Sequence, residues 1–500
     1  MNETFNALNR SERRNPYLNR FTWSKKTQFL EQIANCPLEI VVAVDSLGRI
    51  GQDSFHRSNS IDWLDSSKWH ALSLINSLKL GVMKILVLGS GAREHAIVKA
   101  LIRTGTESGK IIVAPGNAGI AADVTCDPNL NMMDPAAVAE YARQKGFDLV
   151  IIGPEAPLIE GVADPLRELG IAVFGPSKAA AQLEGSKAFA KDIMAGAGVP
   201  TGAAKECSTI AEVQAAIDEF GAPYVVKADG LAAGKGVIVT SDRTAALDHA
   251  KKFLHLGILV EEFLDGEEVS LFFLSDGQNV LPLTPAQDFK RAFNDDMGPN
   301  TGGMGSYTPL PWLPAGFVEE VRETVALPTV RELARTGAPF VGLLYCGLIV
   351  TKAGIRVIEF NARFGDPETQ VVLRRLITPL EGLLFNAATG RLTSSAEPEF
   401  SNDVAVAVVV ASEGYPDSNA PDRELRGIAE AEQVEGVEVC VAAAKSEAGK
   451  LIANGGRVLS VVALGKDFKQ ARSNAYRAVA QIQLEGSHFR TDIAAKVTND

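Results

Sequence analysis

From residue 83 onward, short apolar runs alternate with stretches of helical periodicity. The runs cover residues 84–88, 110–114, 149–152 and 172–174, and each is followed at once by glycine or proline. Between them, residues 136–145 and 162–169 space their apolar side chains for one face of a helix. Short runs without polar alternation predict strands buried on both faces. Strands of that kind form a parallel sheet joined by right-handed helical crossovers. Ligands of such sheets sit at the carboxyl ends of the strands. Here those ends are the loops 89–95, 115–119 and 153–157.

Residues 186–390 follow another pattern: a glycine-rich loop, a strand-rich middle and a cluster of carboxylates. They predict a mixed α+β region. From residue 391, small apolar residues fill the runs 404–411, 437–443 and 458–463, and a helical pattern covers 468–483. This predicts a compact C-terminal α+β, barrel-like module. The expected divisions are an extension at 1–82, a Rossmann-like parallel-sheet domain at 83–185, a second domain at 186–390 and a third at 391–500. The extension carries a net charge of +2 against −14 for the remainder, and it holds three of the four tryptophans. Met83 stands immediately before the first apolar run. Residues 1–82 are therefore expected to be a poorly ordered upstream appendage or a translation-start artefact.

Composition narrows the class. The 500 residues are 46% hydrophobic and 22% charged, a globular balance with length for several cores. The 49 basic and 61 acidic residues leave −12, which opposes general binding to a nucleic-acid backbone. Five scattered cysteines without a C-x-x-C pair predict buried thiols in a reducing compartment, neither a disulfide framework nor a metal cage. The longest apolar run, 404–411, falls far short of the roughly 18 residues of a membrane helix.

Five segments carry candidate chemistry. The turn Gly89-x-Gly91-x-x-Glu94 has glutamate where a dinucleotide fingerprint has its third glycine. That speaks against a Rossmann oxidoreductase, while a helix N-terminus there still suits a monophosphate. Residues 224–240 place two apolar strands around Gly230, Gly234, Lys235 and Gly236. Glycines admit close backbone approach and Lys227 and Lys235 add positive charge, so a phosphate-covering flap is expected over an ordinary hairpin. Residues 259–270 combine an apolar strand with acids and an Asp265-Gly266 turn. Alone, that segment also reads as a solvated acidic hairpin. Residues 356–370 put Glu359 and Asn361 two apart in a strand, hence on one face. Two hard oxygen donors on one face suit Mg²⁺, with Arg363 expected further along that face. The loop 298–305 is rich in glycine and reads as an anion nest or a plain loop.

In this order, the motifs resemble the phosphoribosylamine–glycine ligases, also called glycinamide ribonucleotide synthetases, which are ATP-grasp enzymes of purine biosynthesis. The resemblance runs from Met83 to about Ala494. It rests on Gly91-Ala-Arg-Glu-His95, residues 114–119, 153–158, 185–189, 227–236, 261–268, 298–305, 359–370 and 454–459. It implies an ATP-grasp domain in the middle region. Lys187 and Lys227 would contact ATP phosphates, with Gly230, Gly234 and Gly236 in a closing flap. Glu261, Glu262, Phe263 and Leu264 would meet adenine, and Glu268 the ribose. Glu359 and Asn361 would hold Mg²⁺ or Mn²⁺. Arg363, Arg291 and Lys235 would be catalytic, with Asp288, Lys290 and Asp366 facing glycine and 5-phosphoribosylamine. Gly89, Gly91, Gly116 and Asn117 are expected at the sugar-phosphate end. The implied reaction is ATP-dependent joining of glycine to 5-phosphoribosylamine through glycyl phosphate, by a cytoplasmic monomer without nucleic-acid or membrane partners. Another ATP-grasp carboxylate–amine ligase is the alternative. The chain departs from the family's pattern in a stretch before Glu261 shorter by about ten residues, and in Phe289 where histidine is usual.

Overall fold

A computed structural model describes residues 83–230, 236–417 and 421–498. The extension 1–82, with Gly234 and Lys235 of the expected flap, lies outside the described residues.

Five parallel strands build the first sheet, in the order Thr125–Cys126, Ile111–Pro115, Ile85–Gly89, Leu149–Ile152, Ala172–Phe174. Alternate residues of one strand enter different layers. Leu86 and Leu88 join one core cluster, whereas Ile85 and Val87 join another. That two-sided burial is why the strands read as continuous apolar runs. Helix ends follow local chemistry. Asp134 accepts the Ala136 and Ala137 amides at 3.0 and 3.1 Å to open Pro135–Lys145. The helix expected at 162–169 is Ala163–Glu168, and a further short helix, Glu155–Glu160, precedes it and ends where Gly161 turns left-handed at φ 88°.

The middle region holds two four-stranded antiparallel sheets, besides the small hairpin Arg291–Phe293/Met297–Asn300. One has the order Ala204–Cys207, Ile258–Glu261, Tyr224–Ala228, Val237–Thr240. Helices Ile210–Phe220 and Arg243–Phe253 contribute to its separate small core, built from residues such as Val213, Ile217, Val226, Ala246 and Val260. The other sheet runs Val280–Pro282, Glu267–Asp276, Val341–Thr351, Gly354–Asn361. The chain passes from the first to the second through residues 262–266. The two sheets also meet where Thr201 Oγ1 donates to Val357 O at 2.7 Å and Val357 N to Pro200 O at 2.9 Å.

The last sheet has the order Gln287–Asp288, Gly305–Thr308, Val404–Ala411, Arg457–Gly465, Val437–Val441. Its first two strands come from far upstream, so the segment bearing Asp288 and Lys290 starts from this sheet. Helix Phe468–Val479 lays Phe468, Ala471, Ala475 and Ala478 on its core. That helix was expected to reach residue 483. It stops at Val479 because Gln483 exchanges both backbone hydrogen bonds with Arg426. Among the described residues, Cys207, Cys346 and Cys440 are buried and Cys126 half-buried, all as free thiols, and no helix is long and apolar enough to cross a membrane.

Candidate active site

The lysines expected at a nucleotide's phosphates converge from two elements. Lys227 is the penultimate residue of strand Tyr224–Ala228 and pairs with Glu261 Oε2 at 2.8 Å; both side chains are under 10% exposed. Lys187 opens helix Lys187–Ala197 and donates to Gly230 O at 3.2 Å. Asp229 fastens that helix start to the strand end. It accepts Ser186 Oγ at 3.1 Å, and the amides of Lys187 at 2.5 Å and Gly230 at 3.1 Å. Sequence reading missed Lys191. It lies one helical turn after Lys187, bonds Thr201 Oγ1 and Gly202 O at 3.0 and 2.9 Å, and reaches Glu261 Oε1 at 3.5 Å. Its i,i+4 spacing from Lys187 was the available signal. Burial pushes the Lys187 and Lys191 ammonium groups below their usual pKa despite neighbouring carboxylates.

Residues 262–264 follow directly on Glu261. The Glu262 amide donates to Ala203 O at 3.0 Å, and Phe263 is exposed. Tyr224–Ala228 and Val237–Thr240 form an antiparallel pair, and Gly230 sits at φ 98° as the chain leaves the first strand. Gly236 O accepts the Ala228 amide at 2.7 Å, closing the base of the loop.

Glu359 and Asn361 lie on one face of Gly354–Asn361, opposite Gly347 and Tyr345, whereas Phe360 between them is in the core. Burial raises the Glu359 carboxyl, but Lys290, Lys227, Lys187 and Arg363 outweigh it and hold it below the usual range. The carboxylate therefore stands ionised amid four cations. Its oxygens and the Asn361 amide oxygen form a donor set that fits Mg²⁺. Behind them, Ser270 Oγ and Tyr345 Oη sit 2.8 Å apart and both donate to buried Glu368 Oε1, at 3.0 and 2.9 Å. Sequence reading gave Glu368 and Tyr345 no part in the site.

Arg363 is not a continuation of the strand, which ends at Asn361. Its Nη2 meets Glu184 Oε1 at 3.0 Å and its Nε lies 3.3 Å from Glu155 Oε2. Although burial opposes its charge, Glu184 and Glu155 raise its affinity for the proton. Asp288 is pushed up to about 7, chiefly by burial, with Lys290 pulling down and Glu368 and Glu268 pushing up. Lys290 pairs with Glu268 at 2.5 Å. Burial disfavours its charge, but Asp288 and Glu268 prevail and hold its pKa well above normal.

Other expected residues are tied elsewhere. Arg291 donates to Asn300 Oδ1 at 3.2 Å along its own hairpin and makes no hydrogen bond or ion pair with the Glu359 cluster. Asp366 is held by Arg457 at 2.9 Å and by Gln370 at 2.7 Å. Arg457 also donates to Gly302 O at 2.6 Å, binding the 298–305 loop to the last sheet. That loop is no open anion nest. The amides of Thr301, Gly302, Gly303 and Met304 already donate to Lys290 O, Tyr415 Oη, Thr301 Oγ1 and Phe289 O. Phe289 packs under the buried Arg490 guanidinium, 4.9 Å from its ring centre.

At the carboxyl ends of the parallel strands, Glu94 folds back beneath the glycine turn. Its Oε2 accepts the Gly91 amide at 2.6 Å and its Oε1 the Arg93 Nε at 2.6 Å. A Cβ on Gly89 or Gly153 would lie 2.6 or 2.1 Å from the Glu94 side chain. The acid thus fills the crevice where a dinucleotide's pyrophosphate would lie, which disfavours nicotinamide binding. Asn117 is saturated: its amide donates to Ser90 O and Val441 O, and its oxygen accepts the Gly119 and Ile120 amides. Gly116, at φ 71°, packs so closely on Cys126 that a Cβ would lie 2.4 Å from the sulfur. His95 accepts the Val441 amide on Nδ1 and contacts Asp123 through Nε2, both at 2.9 Å. Both His95 and Asn117 fasten the first sheet to the last.

Family profiles match this arrangement in three consecutive pieces. The phosphoribosylglycinamide synthetase N domain covers residues 83–184, its ATP-grasp (A) domain 185–369 and its C domain 405–496. The chain belongs to this family. Among its relatives, a phosphoribosylamine–glycine ligase from Leifsonia xyli is 64% identical over 419 residues, covering 83% of this chain and all of the relative. One from Streptomyces coelicolor is 56% identical, covering 83% of this chain and 99% of its own. The crystal structure of the family member from Thermotoga maritima superposes with a TM-score of 0.70 at 32% identity, covering 82% of this chain and all of that one. A biotin carboxylase domain from Hydrogenobacter thermophilus, at 16% identity and TM-score 0.60 over 81% of this chain and 92% of its own, shares the fold.

Proposed function

We propose that this protein joins glycine to 5-phosphoribosylamine, giving glycinamide ribonucleotide while ATP is cleaved to ADP and phosphate. The observation that carries the reading is the ionised Glu359 beside Asn361, ringed by Lys187, Lys227, Lys290 and Arg363. A carboxylate is a poor electrophile, and ATP corrects this by turning it into an acyl phosphate. The glycine carboxylate attacks the terminal phosphorus and ADP leaves. The amine of phosphoribosylamine then attacks the carbonyl of glycyl phosphate, phosphate departs, and the amine loses a proton. Little covalent chemistry falls to the protein, whose part is positioning and charge neutralisation.

Lys187, Lys227 and Lys191 would hold the phosphates from one side. Residues 261–264 would carry the adenine, and Glu268 the ribose. Mg²⁺ held by Glu359 and Asn361 would neutralise phosphate-oxygen charge as transfer proceeds. Asp288 and Lys290 would face the amine substrates, and the loops at Gly89–Gly91 and Gly116 the sugar phosphate. The setting we propose is a cytoplasmic monomer. The test is ADP release with glycine and phosphoribosylamine supplied together and singly, with the product identified by mass. Turnover that ignores either substrate, or that accepts another acid–amine pair better, refutes the assignment.

A further inference from the structure

Arg363 is aimed by a residue outside every segment given a role so far. Glu184 lies near the end of helix Lys178–Gly185, just before Ser186 and Lys187 begin the next helix. Its carboxylate is buried and grips two consecutive residues. Oε2 accepts the Ala362 amide at 2.7 Å, and Oε1 meets Arg363 Nη2 at 3.0 Å. Those residues directly follow Asn361. Arg363 Nη1 is fixed as well, by Phe364 O at 3.2 Å, the carbonyl that also accepts Arg93 Nη1 at 3.3 Å. The buried Nε lies 3.3 Å from Glu155 Oε2. Of the five N–H groups of the guanidinium, one on each Nη is thus committed to a protein acceptor and the Nε one faces Glu155, so a second N–H on each Nη remains.

We propose that Glu184 is the positioning residue that sets the direction of Arg363, leaving its remaining Nη N–H groups to meet an anionic reacting group. The two-point grip favours this over a simple interdomain ion pair. A carboxylate that only joined two segments would not need to fix the backbone amide between the metal-ligand position and the arginine. Because Glu184 also abuts the helix that begins with Lys187, it places the arginine and the phosphate-binding lysine in one frame. The proposal rests on the reading of Arg363 as a group that meets the transferring phosphate or acyl phosphate.

The test separates positioning from folding. Glu184→Gln keeps an oxygen for the Ala362 amide but removes the charge facing Arg363. Its kcat should fall about 10- to 100-fold, the KM for ATP should stay within about twofold, and Glu184→Asp should recover part of the loss. Independently, guanidinium ion added to Arg363→Ala should restore turnover, half-saturating at a concentration about tenfold lower with Glu184 than with Gln at that position. Guanidinium binding to the two proteins, read by ligand NMR, needs no turnover. If wild-type protein shows no substrate-dependent ADP release, the function falls while this affinity difference still reports on positioning. A wild-type kcat in Glu184→Gln overturns the proposal. So does equal guanidinium affinity with and without the carboxylate, or an activity loss that merely tracks loss of folded protein.

Discussion

Replacing Glu261 by glutamine isolates one buried charge between two lysines. In the wild type, its carboxylate is 2.8 Å from Lys227 and 3.5 Å from Lys191, with all three side chains at least 85% buried. Glutamine keeps the shape and some hydrogen bonding but leaves two ammonium groups facing each other. Removing one partner of a buried pair costs about 3–5 kcal/mol. Lys191 retains bonds to Thr201 and Gly202, which favours the lower end, about 3 kcal/mol. At about 2–4 °C per kcal/mol for a unit of 150–250 residues, the melting midpoint should drop by roughly 6–12 °C. The same reasoning gives a second sign. ATP brings phosphate negative charge to these lysines, so Mg·ATP should raise the midpoint of Glu261→Gln more than that of wild type. Thermal unfolding followed by circular dichroism, with and without nucleotide, measures both. A variant that melts within about 1 °C of wild type, or that gains no extra stabilisation from nucleotide, would refute the buried-pair account and the phosphate role of the lysines.

Glu359→Gln should lower kcat by about 100-fold or more while preserving the far-ultraviolet dichroism, because it removes the charged half of the metal donor set; activity restored by saturating Mg²⁺ would contradict the ligand assignment. Burial pushes the Asp288 carboxyl up to about 7, well above the ordinary carboxylate range, so the folded state binds the extra proton and this residue's contribution to stability declines as pH rises from about 4 through 7. Denaturant unfolding of Asp288→Asn should therefore show stability rising relative to wild type across that window, and a difference that does not change with pH would disprove the shift. Asn117→Ala strands the Gly119 and Ile120 amides and the Val441 carbonyl; it should destabilise by about 1–3 kcal/mol in denaturant titration, and a neutral effect would show that these bonds are replaced by water.

Much of the fold was legible because local periodicity encodes it. The runs at 149–152, 172–174 and 404–411 are strands with those same bounds. Their side chains alternate between two buried layers, which forces an apolar residue at every position. The shared face of Glu359 and Asn361 followed from the same period of two. Lys191 was within reach of the sequence, one turn from Lys187, but lysines at that spacing also decorate solvated helices. Arg363 was expected to extend the Glu359 face, yet the strand ended first and acids at positions 155 and 184 took hold of it. Nor did the glycines of 298–305 reveal that Arg457, about 150 residues later, binds the loop, or that its amides were already engaged.

Local sequence encodes the alternation of strands and helices, the glycine turns and which residue types could carry phosphoryl chemistry. Each depends on neighbours within a few positions, through side-chain direction and backbone sterics. Tertiary structure alone decided that residues 287–288 and 305–308 complete the last sheet. It also decided that Glu94 closes the crevice beneath Gly89, that Asp288 is held near neutrality, and that Glu184 and Glu155 share Arg363. These outcomes depend on separation and burial in space. Charge interactions and desolvation change steeply over a few ångströms, and only the packed chain fixes those distances.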